Sequence, residues 1–120
     1  MAVERRQLGS GAEARAARFL DAAGLRLVQR NYRCRMGELD LVARQGNLLI
    51  VAEVRLRSSE HYGGAAASIT HAKRQRIVRT TRHLLARYPS LQQCAVRFDA
   101  LLLEGEDGPI EWIKGAFDAF

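Results

Sequence analysis

Glu38-Leu39-Asp40-Leu41-Val42-Ala43-Arg44-Gln45-Gly46-Asn47-Leu48-Leu49-Ile50-Val51-Ala52-Glu53-Val54-Arg55 carries two apolar-rich runs on either side of a glycine-asparagine pair. Gly46-Asn47 separates two apolar-rich segments, and both residue types tolerate positive φ, so the pair reads as a two-residue hairpin turn. Placing Gln45 opposite Leu48 makes paired residue numbers sum to 93. Asp40 then lies opposite Glu53 and Glu38 opposite Arg55, and strict alternation puts all four on one sheet face. Two carboxylates in that relation repel and need a compensating cation. A hard divalent ion held by one or two carboxylates would serve. Arg55 could instead neutralise one of them, leaving a salt-bridged strand pair.

Outward from the hairpin, Leu25 to Tyr32, Glu38 to Arg44 and Leu48 to Arg57 read as three strands of a meander. Leu48 to Ala52 is apolar on both faces, the pattern of a central strand covered on each side. Ser10-Gly11-Ala12-Glu13 has the form of a capping box, predicting a helix from Ser10 to about Ala23 that ends at Gly24. Its buried stripe would be Ala16, Ala17, Leu20 and Ala23, with Glu13 on the same stripe. After a loop from Ser58 to Ile69, a long helix is expected from Thr70 to Tyr88 before Pro89, packing through Ile77, Val78, Thr81, Leu84, Leu85 and Tyr88. Ala95 to Leu103 and Ile110 to Lys114 would be the last strands. The third strand, long helix and fourth strand suit a right-handed crossover, hence a mixed sheet with helices packed on it. Residues 1–10 read as a flexible arm and 11–120 as a single domain, the usual outcome for 120 residues of which 48% are hydrophobic.

There are 19 Lys and Arg against 13 Asp and Glu, with a pI near 10.1, which points to nucleic acid as the partner class. On the long helix Arg76, Arg79, Arg82, His83 and Arg87 lie off the apolar stripe and form a basic ridge suited to a phosphate backbone. Arg57 at the end of the third strand and Lys73 in the helix's first turn are counted with it as nucleic-acid contacts. Cys34 and Cys94 have no metal-ligand spacing and read as reduced structural thiols. No membrane-length apolar run or signal region is visible, so a cytoplasmic protein is expected. His61, His71 and His83 suggest neither zinc site nor triad and read as surface or loop residues, with His61 and Tyr62 near a substrate entrance. Trp112 and Phe98 read as core.

Asp40 followed by Glu53-Val54-Arg55 resembles the PD-(D/E)xK nuclease pattern. Asn31-Tyr32-Arg33-Cys34-Arg35-Met36-Gly37-Glu38-Leu39-Asp40-Leu41-Val42-Ala43 resembles the uncharacterised bacterial YraN family. Ala16-Ala17-Arg18-Phe19-Leu20, Tyr62-Gly63-Gly64, Arg97-Phe98-Asp99 and Trp112-Ile113-Lys114-Gly115-Ala116-Phe117 extend the likeness over nearly the whole chain. The resemblance implies a restriction-endonuclease-like αβββαβ core similar to archaeal-type Holliday-junction resolvases, with Glu13, Asp40 and Glu53 holding Mg²⁺ or Mn²⁺ and Arg55 where a lysine is usual. It further implies cleavage of DNA, branched or structured DNA included, and a homodimer by analogy. Arg55 marks a departure, because a guanidinium stays protonated and cannot accept a proton. Two other functions stay open on the sequence: a non-catalytic nucleic-acid-binding protein on the nuclease scaffold, and a protein-interaction module whose basic ridge meets an acidic partner. Glu13 likewise keeps two readings, metal ligand and helix-capping carboxylate.

Overall fold

The structure, a computed structural model, describes the backbone of residues 2–57 and 69–119 and the side chains of 11–57 and 69–119. The expected loop over 58–68, with His61, Tyr62, Gly63 and Gly64, lies outside the described residues. In chain order the elements are α1 (Ala2–Ala22), β1 (Arg26–Cys34), β2 (Gly37–Gln45), β3 (Leu48–Arg57), α2 (His71–Arg87), a 3-10 turn (Pro89–Leu91), β4 (Ala95–Glu104) and β5 (Ile110–Phe117). The strands form one sheet in the order β1-β2-β3-β4-β5. Only β3 and β4 run parallel, joined through α2, and the other neighbours are antiparallel. This is the mixed αβββαβ arrangement anticipated from the hairpin and the crossover.

Each sheet face carries its own apolar cluster. Ala16 and Leu20 of α1 pack with Leu41, Ala43, Ile50, Ala52, Leu101 and Leu103. Ile77, Val78 and Leu84 of α2 pack with Tyr32, Leu39, Leu49, Val51 and Phe98 on the other face. β3 thus gives Leu49 and Val51 to one cluster and Ile50 and Ala52 to the other, as its continuous apolar run requires. No helix among the described residues is long and apolar enough to cross a membrane. Both cysteines are free.

Both helix ends have local causes. At α1 the Leu25 N–H donates to Leu20 O and the Gly24 N–H to Asp21 O, with Gly24 at φ +93, the left-handed closure that glycine permits. Ala23, expected on the buried stripe, is exposed because it belongs to this closure. At α2 the Thr70 hydroxyl accepts from the Lys73 N–H at 3.2 Å. The start of α1 differs from expectation: the helix continues back to Ala2, so Ser10 is interior and Ser10–Glu13 is not a capping box. Ala2, Glu4, Arg5, Arg6, Gln7 and Leu8 include strong helix formers, and an interior glycine such as Gly9 costs only about 1 kcal/mol. β5 also runs beyond the expected Lys114, to Phe117.

The extension of β5 depends on a buried carboxylate. Asp99 is 0% exposed and sits where the β4–β5 register shifts between Phe98 and Ala100. Its oxygens accept from Arg97 Nε and Nη2 (both 2.8 Å), Trp112 Nε1 (2.8 Å) and the Gly115 N–H (2.9 Å). Burial alone would raise its pKa, but the hydrogen bonds from Arg97, Gly115 and Trp112 hold it below the ordinary value. A carboxyl whose folded pKa is depressed stabilises the fold above its unfolded pKa, and that stabilisation disappears as pH falls through the folded value. Asp99→Asn is therefore expected to lower stability by about 2–3 kcal/mol at pH 7. In denaturant titrations its deficit against wild type should shrink below about pH 4, and a deficit that stays constant down to pH 2 would contradict this account.

Candidate functional site

The β2–β3 ladder has the register read from the turn, running from Gln45–Leu48 to Leu41–Ala52, with Gly46 at φ +59. One step further, Asp40 and Glu53 meet through side chains. The Val54 N–H donates to Asp40 Oδ2 at 2.9 Å, and the Asp40 N–H points to Glu53 Oε2 at a long 3.5 Å. The two strands separate here, β2 keeping its pairing with β1 and β3 its pairing with β4.

Across the same point the alternation of β1 and β2 changes phase. Leu41, paired with Arg30, packs on the α1 side, whereas Leu39, paired with Tyr32, packs on the α2 side. Asn31 lies between those pairs with φ +55, the one positive φ at a non-glycine residue among those described. Asparagine tolerates this conformation better than most side chains. In consequence Glu38, Asp40, Glu53 and Arg55 do not share one face. Glu38 and Asp40 join Glu13 of α1, one carboxylate oxygen from each lying within 4.8 Å of the others. Glu53 turns toward α2, where Lys73 Nζ stands 3.6 Å from its Oε1. Glu38 forms its ion pair with Arg33, its partner on β1 (3.3 Å), and not with Arg55.

The acidic group is thus a triad of Glu13, Glu38 and Asp40, with Glu53 touching it through the Asp40 backbone. With its amide turned to donate, Asn31 Nδ2 lies 2.7 and 3.0 Å from the two Glu13 oxygens and 3.1 Å from Glu38 Oε1. Partial burial and the neighbouring Asp40 push Glu13 up to about 6, against the Asn31 hydrogen bond. Glu53, 1% exposed, is pushed up to about 8 by burial and by Asp40, with Lys73 opposing. In both, loss of hydration on burial is the larger cause and the neighbouring Asp40 carboxylate the second.

Other expected residues are placed as follows. Arg55 follows Glu53 on the α2 side and is partly buried, its Nε without a hydrogen-bond partner. Arg57 is ion-paired with Glu111 of β5. Arg76, Arg79, Arg82 and Arg87 are exposed along α2, the ridge foreseen from the wheel, while Lys73 leaves that ridge for Glu53. His71 and His83 are exposed, and the buried Tyr32 hydroxyl lies 2.5 Å from His83 Nδ1. Glu38 and Asn31 are the residues that sequence reasoning left out of the site. Glu38 had a signal in its spacing two residues before Asp40; Asn31, inside an otherwise ordinary strand, had only its tolerance of positive φ.

A carboxyl whose folded pKa is raised has the opposite linkage to Asp99: the folded state binds more protons, so stability falls as pH rises between the unfolded and folded values. In chelator, the melting temperature should therefore drop between about pH 5 and pH 8. Glu53→Gln should flatten the upper part of that drop, and a wild-type melt independent of pH across this window would contradict the shifts described.

Residues 12–103 match the profile of the uncharacterised protein family UPF0102. The chain is 51% identical over 111 residues to a UPF0102 protein of Nitrosomonas europaea, covering 92% of each chain. A UPF0102 protein of Methylobacillus flagellatus is 51% identical over 115 residues, 95% of this chain and 99% of that one. One from Legionella pneumophila is 43% identical over 111 residues, 92% and 94% respectively. The shared region takes in α1 from Ala12, the whole hairpin, α2 and nearly all of β4, and so every carboxylate of the site: this chain belongs to the UPF0102 family.

Proposed function

We propose that this protein is a divalent-metal-dependent endonuclease that hydrolyses phosphodiester bonds in DNA, branched or structured DNA included. The observation that carries the reading is the convergence of Glu13, Glu38 and Asp40 at the point where β2 and β3 part, next to buried Glu53. Three carboxylates offering oxygens within 4.8 Å are a donor set that fits a hard cation such as Mg²⁺ or Mn²⁺, and the raised Glu13 pKa fits a site short of positive charge. Such an ion, when bound, activates water and stabilises charge developing on the phosphate.

The chain's own residues supply the rest. Glu13, Glu38 and Asp40 would hold the ion, and Asn31 orients two of them. Glu53 is spaced from the triad by the Asp40 backbone, its buried carboxyl accepting the long contact from the Asp40 N–H. Arg55 brings fixed positive charge beside Glu53 and cannot take a proton, so activation of water falls to the carboxylates and the ion. The exposed arginines of α2 would track the phosphate backbone. The same Arg55 favours the second reading, a protein that binds nucleic acid on this scaffold without turnover.

Incubation with linear, flapped and four-way-junction DNA, in Mg²⁺, in Mn²⁺ and in chelator, separates the two. Cleavage that needs the ion is expected, strongest on the junction, and binding without cleavage in any condition would favour the second reading. Asp40→Asn should abolish cleavage and also the rise in melting temperature that millimolar Mn²⁺ gives the wild type. For either reading, changing Arg76 and Arg79 to alanine should reduce the slope of log affinity against log salt by about one per lost contact. An unchanged slope would remove α2 from the interface.

A further inference from the structure

We infer that Lys73, which its helix position would group with the basic ridge, is instead the cation held beside buried Glu53 and contacts the phosphate to be cleaved; this rests on the nuclease reading above. Thr70 caps α2 and fixes its first turn, and that turn delivers Lys73 Nζ to 3.6 Å from Glu53 Oε1. The two partners differ sharply in access: the Glu53 side chain is 1% exposed and that of Lys73 is 31% exposed. Glu53 therefore lies behind the ammonium, and its other oxygen faces the Asp40 N–H. A phosphate approaching from this side meets Lys73 first. An ammonium has three donors, and a single carboxylate oxygen at 3.6 Å leaves donors for an incoming oxyanion.

The other cations near the end of β3 are less available. Arg55 keeps its Nε buried and out of contact with solvent, and Arg57 is engaged with Glu111. Arg76 and Arg79 are exposed along α2, and among the described residues neither is ion-paired with a carboxylate of the site. Lys73 is thus both anchored to the site and open to substrate. Glu53 acts through it as a positioning residue, holding the ammonium where charge builds on the phosphate during bond breaking.

The test compares wild type, Lys73→Met and Lys73→Arg for junction cleavage in Mn²⁺ and for junction binding by fluorescence anisotropy in chelator across a salt series, with melts to confirm that each variant is folded. Lys73→Met should lower kcat about a hundredfold, the scale of losing one donor to a developing oxyanion. It should also weaken binding about three- to fivefold and reduce the salt slope by about one. Lys73→Arg should restore the slope and at least a tenth of the lost kcat. A salt slope unchanged in Lys73→Met, or equal loss of kcat in both variants, would overturn the assignment. If the wild type shows no cleavage but the slope still falls in Lys73→Met and returns in Lys73→Arg, the nuclease reading fails while Lys73 stands as a phosphate contact.

Discussion

Where β2 and β3 separate, the N–H groups of Asp40 and Val54 face carboxylate oxygens: Val54 donates to Asp40 at 2.9 Å and Asp40 points to Glu53 at 3.5 Å. An amide left unpaired at such a position costs free energy comparable to a lost hydrogen bond, and one to a carboxylate is worth about 1.5–3 kcal/mol. The same carboxylates therefore finish the strands and bring negative charge together. This dual use explains why the site stands at the fork in the sheet. A neutral residue that still accepts, such as asparagine at position 40, retains the structural contribution while removing charge.

The hairpin register was legible in the sequence because a two-residue turn admits few pairings and the apolar run of β3 needs both faces covered. It holds for every pair from Gln45–Leu48 to Leu41–Ala52. What could not be read was the phase change at Asn31. Alternation is a property of regular extended backbone, and one left-handed residue in β1 shifts which side chains of β1 and β2 point to which helix. Glu38 and Asp40 consequently go to α1, whereas Glu53 goes to α2. Glu13 was legible as a carboxylate on a stripe facing the sheet, but not its partner Asn31. The start of α1 was misplaced because Ser10–Glu13 carries a local stop-and-start signal that helix formers on both sides override.

Two nearly inaccessible carboxylates, Asp99 and Glu53, occupy similar depths in this sheet and have opposite electrostatics. Asp99 receives four short hydrogen bonds, two of them from one guanidinium, and its pKa is lowered. Glu53 has one ammonium at 3.6 Å and one amide at 3.5 Å, faces Asp40, and its pKa is raised. Burial costs both the same kind of desolvation, so the difference lies in what the fold provides in return. At Asp99 the donors are complete, which suits a fixed joint between β4 and β5. At Glu53 they are incomplete, so the charged form is disfavoured beside a partly exposed lysine and three further carboxylates. Perturbed groups of that kind gather where a protein binds ions or performs chemistry, because the missing stabilisation is supplied by what binds. By that criterion the end of the β2–β3 ladder is the candidate site proposed above, and the β4–β5 joint its structural counterpart.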